Sequence, residues 1–169
     1  MSKQTQPNHI NIVLGLGSSG INAAKLLKAE GKKVLVLENH SNPKLIDIAK
    51  ELKSKGINVI LLDEPLHINN FTPWLGRISS ITVSPGIDWE HQTLKELRSK
   101  NIVMQGEVEL AWRRLSHIPS IGITGTNGKT TVTNMLNHIL RLNSFNTDMG
   151  GNIGKALSKI ALESNFQTN

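Results

Sequence analysis

The chain has 169 residues, 19 Lys+Arg against 13 Asp+Glu, a formal net charge of +6 and no cysteine. Such a length holds one full domain, or one and part of another, and 38% hydrophobic with 19% charged residues is enough for an ordinary core. The missing cysteines exclude a disulfide framework, a thiol nucleophile and a Cys-ligated zinc site, and no run approaches the ~18 apolar residues of a membrane span.

The N-terminal MSKQTQPNHI lacks the basic-then-apolar order of a secretory leader. Ile10 to Leu14 reads as a buried strand, followed by a helix carrying Ile21, Ala24 and Leu27 on one face. Val34 to Leu37 is a second strand. Leu45, Ile48, Ala49 and Leu52 then recur at i, i+3, i+4, i+7, the mark of an amphipathic helix. Ile57 to Leu62 and Ile81 to Ser84 are further strands. HQTLKELRSK predicts a short helix, NIVMQ a short strand and GEVELAWRRL another helix, its Glu107 and Glu109 on a solvated first turn. SIGIT (120–124) predicts a strand, GTNGK a loop, and Thr130 to Leu142 a helix with Val132, Met135, Leu136, Ile139 and Leu140 on its apolar face. Leu157 to Leu162 is helical. Strand–helix alternation of this kind implies an α/β fold with a parallel sheet covered on both faces. A boundary near Ser116 to Pro119 divides the chain into a Rossmann-like domain, 1–116, and the start of a second α/β unit, 117–169.

The basic residues are scattered and aromatics make up only 4%, so no nucleic-acid-binding stripe is expected. Small phosphate-bearing ligands account for the charge as well. The six histidines are dispersed without HxH or HxxxH pairs, which argues against a metal cluster. A soluble, cytoplasmic, monomeric protein without membrane or nucleic-acid partners is expected.

Two glycine-bearing turns carry the chemistry. Gly15-Leu16-Gly17-Ser18-Ser19-Gly20 follows the first strand and opens a helix. Glycines there let the backbone approach a pyrophosphate, and the helix N-terminus offers free N–H groups. Glu38 ends the second strand about 20 residues on, where an acid binds a ribose hydroxyl. The second turn, Gly125-Thr126-Asn127-Gly128-Lys129-Thr130-Thr131, lies between an apolar run and a patterned helix, the setting of a P-loop. Its N–H groups would surround ATP phosphates, Lys129 would neutralise the β and γ groups, and the Thr130 hydroxyl would ligate Mg²⁺. It is a variant loop, because the strict pattern wants Gly where Ile123 stands. Three readings follow: an ATP-dependent enzyme, a non-catalytic nucleotide-binding module, or an NAD-dependent oxidoreductase using the first turn and Glu38.

GLGSSG, then SPGI (84–87), then GITGTNGKTTVT, then GGNIG (150–154) stand in this order. The set resembles the Mur ligase family of peptidoglycan synthesis, over about Ile10 to Leu162. The TGTNGKTT core is shared with folylpolyglutamate-type ligases. The N-terminal GxGxxG favours the muramoyl branch, and SPGI with GGNIG favours its D-glutamate-adding member.

The resemblance implies a Rossmann-like domain holding UDP-N-acetylmuramoyl-L-alanine and a central ATPase domain. It puts Ser18 and Ser19 against UDP, Glu38 and Asn39 against uracil, and Asn152 against the diphosphate. Where the family often has Asp-Thr-Arg, this chain has Glu38-Asn39-His40, which keeps the acid. Gly125 to Thr131 would hold ATP, with Lys129 as the catalytic cation. The implied reaction is attack of the substrate carboxylate on the γ-phosphate of ATP, then displacement of phosphate from the acyl phosphate by the amine of D-glutamate. The family's metal-binding glutamate, carbamylated lysine and catalytic histidine fall beyond the motifs present. The chain is therefore expected to be an N-terminal portion that does not ligate alone.

Overall fold

β1 (Ile10–Leu14) and β2 (Val34–Glu38) are nearly continuous branched-aliphatic runs, buried at every residue except Ile10. Strands covered on both faces by crossover helices need that composition. The computed structural model describes residues 9–151 and 154–165. In it, β1 and β2 join β3 (Asn58–Leu61), β4 (Ile78–Val83) and β5 (Met104–Gly106) in one parallel sheet of order β3-β2-β1-β4-β5. Register runs Leu14↔Leu37 on one side of β1 and Leu14↔Val83 on the other, so these strands end level.

Alternation along each strand splits the core in two. Val13, Val34, Val36 and Val59 face α1 (Ser18–Ala29), α2 (Pro43–Ser54), α4 (Glu107–Leu115) and α6 (Leu157–Asn165). Ile12, Leu14, Leu35, Leu37, Ile81 and Val83 face the opposite way, against Phe71, Leu94 and Leu97. Leu94 and Leu97 belong to α3 (Gln92–Ser99). Phe71 belongs to a 3-10 segment, Ile68–Arg77, which sequence periodicity does not reveal because Pro73 and Gly76 interrupt it.

The predicted strand at SIGIT does not form: residues 120–125 are irregular, and Ile121 is 66% exposed. A strand needs a neighbour for its N–H and C=O groups, and the five-stranded sheet does not extend to this segment. α5 (Lys129–Leu142) forms as predicted but buries no residue. Of its expected apolar face, Val132, Met135 and Ile139 are exposed, Met135 at 60%, while Leu136 and Leu140 are half-buried. Among the described residues no helix is long and apolar enough to cross a membrane.

Candidate functional site

The order of the strands reverses beside β1, since β2 lies on one side and β4 on the other. Open α/β sheets bind ligands at the carboxyl ends of strands flanking such a switch point. Here the Gly15 N–H donates to the Leu37 carbonyl, and the Ser84 N–H donates to the Leu14 carbonyl. Both turns are thereby drawn to one edge.

The first turn is tight for a specific reason. A Cβ on Gly20 would lie 2.0 Å from the Gly15 carbonyl oxygen, so only glycine allows α1 to start there. Gly17 is different. It has φ −77°, and a Cβ there would meet nothing within 4 Å. It instead lines an open cleft of about 800 Å³. Leu16, Ser18, Glu38, Lys44, Lys155 and Lys159 share the lining.

Three helix N-termini open on this cleft: α1 at Gly17 and Ser18, α2 at Asn42 to Leu45, and α6 behind Gly154 to Ala156. A helix start favours an anion through its unsatisfied N–H groups and partial positive charge. α2 has a side-chain cap, Asn42 Oδ1 accepting from the Leu45 N–H at 3.0 Å. α1 has none, leaving its first turn open to a ligand. Lys44 and Lys159 have no carboxylate within ion-pair distance among the described residues. Lys155 is engaged by Glu163 and by Asp148 at 2.9 Å. Those bonds, chiefly the one with Glu163, raise its ammonium above the ordinary lysine value.

Glu38 is the acid of the cleft. Its Oε2 accepts from the Leu16 N–H at 2.7 Å and its Oε1 from the His40 N–H at 2.9 Å, with His40 Nδ1 at 3.2 Å. The carboxylate therefore ties the β1–α1 and β2–α2 turns together. Of the residues picked out for a nucleotide sugar, Ser18 and Glu38 line the cleft, whereas Ser19 and Asn39 sit beside it without lining it. Asn152 lies outside the described residues. Lys44, Lys155 and Lys159 went unread in the sequence, because lysine is common and their convergence is long-range.

The second turn ends at Gly128, φ +75°, which caps α5 in a left-handed conformation. Lys129 Nζ reaches back to the Gly125 carbonyl and, at 3.2 Å, to that of Thr126. Lys129 thus lies across the loop, its ammonium resting on the loop's own carbonyls. Thr130 is exposed, with a hydroxyl that makes no hydrogen bond among the described residues. No group of three His, Cys, Asp or Glu side chains among them could hold a metal. Such a hydroxyl would serve Mg²⁺ as one oxygen ligand, with waters and phosphate oxygens supplying others.

One sequence expectation fails next to this site. Glu109 is solvated and pairs with Arg113 at 2.6 Å, but Glu107 is 1% exposed. α6 covers it, and its Oε1 accepts the Ser158 N–H at 2.6 Å. Periodicity within α4 carries no sign of a helix arriving from 51 residues away.

Strand order, glycine turn and closing acid define a doubly wound, Rossmann-like α/β domain, followed by a second glycine-bearing loop. Residues 9–106 match the Mur ligase MurD-like N-terminal domain, and residues 123–169 match the Mur ligase middle domain. The chain belongs to the Mur ligase family, with an N-terminal domain of the MurD-like type.

It is 78% identical over 163 residues to the UDP-N-acetylmuramoylalanine--D-glutamate ligase of Prochlorococcus marinus strain NATL2A, covering 96% of this chain and 35% of that protein. The enzyme of the same name from strain MIT 9313 is 50% identical over 152 residues, covering 90% and 33%. The chain thus spans about a third of the length of these relatives. Among solved structures, a murein peptide ligase from Psychrobacter arcticus 273-4 superposes with a TM-score of 0.52 at 20% identity, over 80% of this chain and 27% of that one. That likeness is one of fold.

Proposed function

We propose that the cleft binds the UDP end of UDP-N-acetylmuramoyl-L-alanine and that the Gly125–Thr131 loop binds ATP. The chain would then supply the nucleotide-sugar domain (1–116) and the opening of the ATPase domain (117–169) of a cytoplasmic D-glutamate ligase. The observation that carries this reading is Gly17, a glycine that its own fold does not require and that faces an open cleft ringed by helix N-termini.

The chain's residues have definable tasks in that reaction. The N–H groups of α1 hold the diphosphate, and Glu38 fixes the turns around the nucleoside. The central difficulty is bringing a substrate carboxylate to an anionic γ-phosphoryl group. The Lys129 ammonium and the N–H groups opening α5 lower that repulsion and stabilise charge as it shifts to the leaving ADP. Mg²⁺, held in part by the Thr130 hydroxyl, supplies further neutralisation when bound. The carboxylate takes the phosphoryl group, and the amine of D-glutamate then displaces phosphate to form the amide, using groups from the rest of a full-length ligase.

Separate titrations of the chain with UDP-N-acetylmuramoyl-L-alanine, ATP and NAD test the reading. The first two should bind, and Lys129→Ala should weaken ATP at least about tenfold, as loss of a charge-assisted contact implies, without affecting the UDP-sugar. Binding of NAD in place of the UDP-sugar would overturn it, as would ATP affinity indifferent to Lys129.

A further inference from the structure

We infer that Glu107 is a positioning residue for the nucleotide cleft: its buried carboxylate fixes the N-terminus of α6, and with it the wall formed by Gly154, Lys155 and Ala156. The proposal rests on the cleft being the nucleotide site, but its central contact is tested without any ligand.

The argument begins with an energetic oddity. Glu107 is 1% exposed and no cation pairs with it among the described residues. Oε1 accepts the Ser158 N–H at 2.6 Å, while Oε2 is buried without a partner. A buried carboxylate with an orphan oxygen is unfavourable. Starting α4 does not require it, since Glu109 serves the same first turn from solvent. What the buried position adds is a bond to the second residue of α6. That N–H is one of the donors a helix leaves unsatisfied at its start, and it lies at the positive end of the helix.

The contact is deep as well as polar. Ser158 is 0% exposed, its own hydroxyl is unpartnered, and Ala161 one turn on is also 0% exposed within the core shared with α1 and α4. Ala156, two residues before Ser158, is 4% exposed and lines the cleft. In the preceding segment the Gly151 N–H donates to the Lys155 carbonyl at 2.9 Å. Glu107 therefore joins the end of β5 to the segment that completes the anion-binding face.

The test compares Glu107→Ala with Glu107→Gln in the full chain, by amide hydrogen exchange and by UDP titration. Gln keeps a carbonyl acceptor for the Ser158 N–H, and Ala does not. Glu107→Ala should speed exchange at Ser158 about tenfold while Leu35 to Leu37 of β2 exchange as in the wild type. UDP affinity should fall by a similar factor, and Glu107→Gln should restore both. Unchanged Ser158 exchange in Glu107→Ala overturns the proposal. So does faster exchange throughout the chain in both variants, which would mark a role in folding alone. Faster Ser158 exchange with unaltered UDP affinity also overturns it, since the wall would then not serve the ligand. If the wild type binds no UDP, the nucleotide reading fails, and the anchoring of α6 stands or falls on Ser158 exchange.

Discussion

Two glycines three residues apart should respond to the same substitution in opposite ways. In Gly20→Ala the new Cβ would lie 2.0 Å from the Gly15 carbonyl oxygen and 3.0 Å from Ser84 Oγ. The first of these is backbone and cannot swing aside, so α1 must move off the β1 turn by roughly 1 Å to restore van der Waals distance. Overpacking of this kind costs typically 1–3 kcal/mol, and the backbone clash puts it near the top, at about 3 kcal/mol. For a domain of this size that lowers the melting temperature by about 15 °C.

In Gly17→Ala the Cβ meets no protein atom, and φ −77° suits any residue. The entropic gain of ~0.4–1 kcal/mol from restraining the unfolded chain roughly offsets the poorer capping by Ala. Stability should therefore stay within about 1 kcal/mol. The methyl group projects into the cleft instead, where the diphosphate must come close to the α1 N–H groups, and UDP affinity should fall at least about tenfold. Urea unfolding and calorimetric titration of both variants read the contrast. The reasoning is refuted if Gly17→Ala binds UDP like the wild type, or if Gly20→Ala unfolds at the wild-type midpoint.

Other outcomes follow from burial and charge. Leu26→Ala, at a 0% exposed position, should cost about 2–5 kcal/mol, whereas Leu142→Ala, at a 71% exposed position, should change stability by less than about 0.5 kcal/mol in the same unfolding assay. Arg114 holds Glu30 in a two-pronged, half-buried pair that raises the guanidinium pKa, chiefly through the hydrogen bond. Arg114→Met should cost about 1–3 kcal/mol by leaving the Glu30 carboxylate without its partner. The Lys155 ammonium is raised by Glu163 and Asp148. Its stabilising contribution is complete below the ordinary lysine value, about 10.4, and is lost as pH rises through the higher folded value. A melting series from neutral to strongly alkaline pH should show a shallower alkaline decline for Lys155→Met than for the wild type.

The sequence determined the elements whose signals are local. Val34 to Leu37 reads as a buried strand and the i, i+3, i+4, i+7 spacing of Leu45 to Leu52 as an amphipathic helix, and both form, because each signal is contained within a few residues. The two glycine turns were legible for the same reason, each being a short string between a strand-like run and a helix. Tertiary structure decided whatever depends on a neighbour. SIGIT has strand composition but finds no strand partner among the described residues, and it stays irregular. α5 has an apolar face, yet among the described residues none of it is fully buried. Lys44 and Lys159 enter one cleft only because α2 and α6 begin at the same sheet edge. Glu107 is the sharpest case: its own helix predicts a solvated acid, and α6, arriving from 51 residues away, makes it a buried acceptor. Periodicity specifies which face of an element is apolar, but the burial of a charge is set by the element that packs over it.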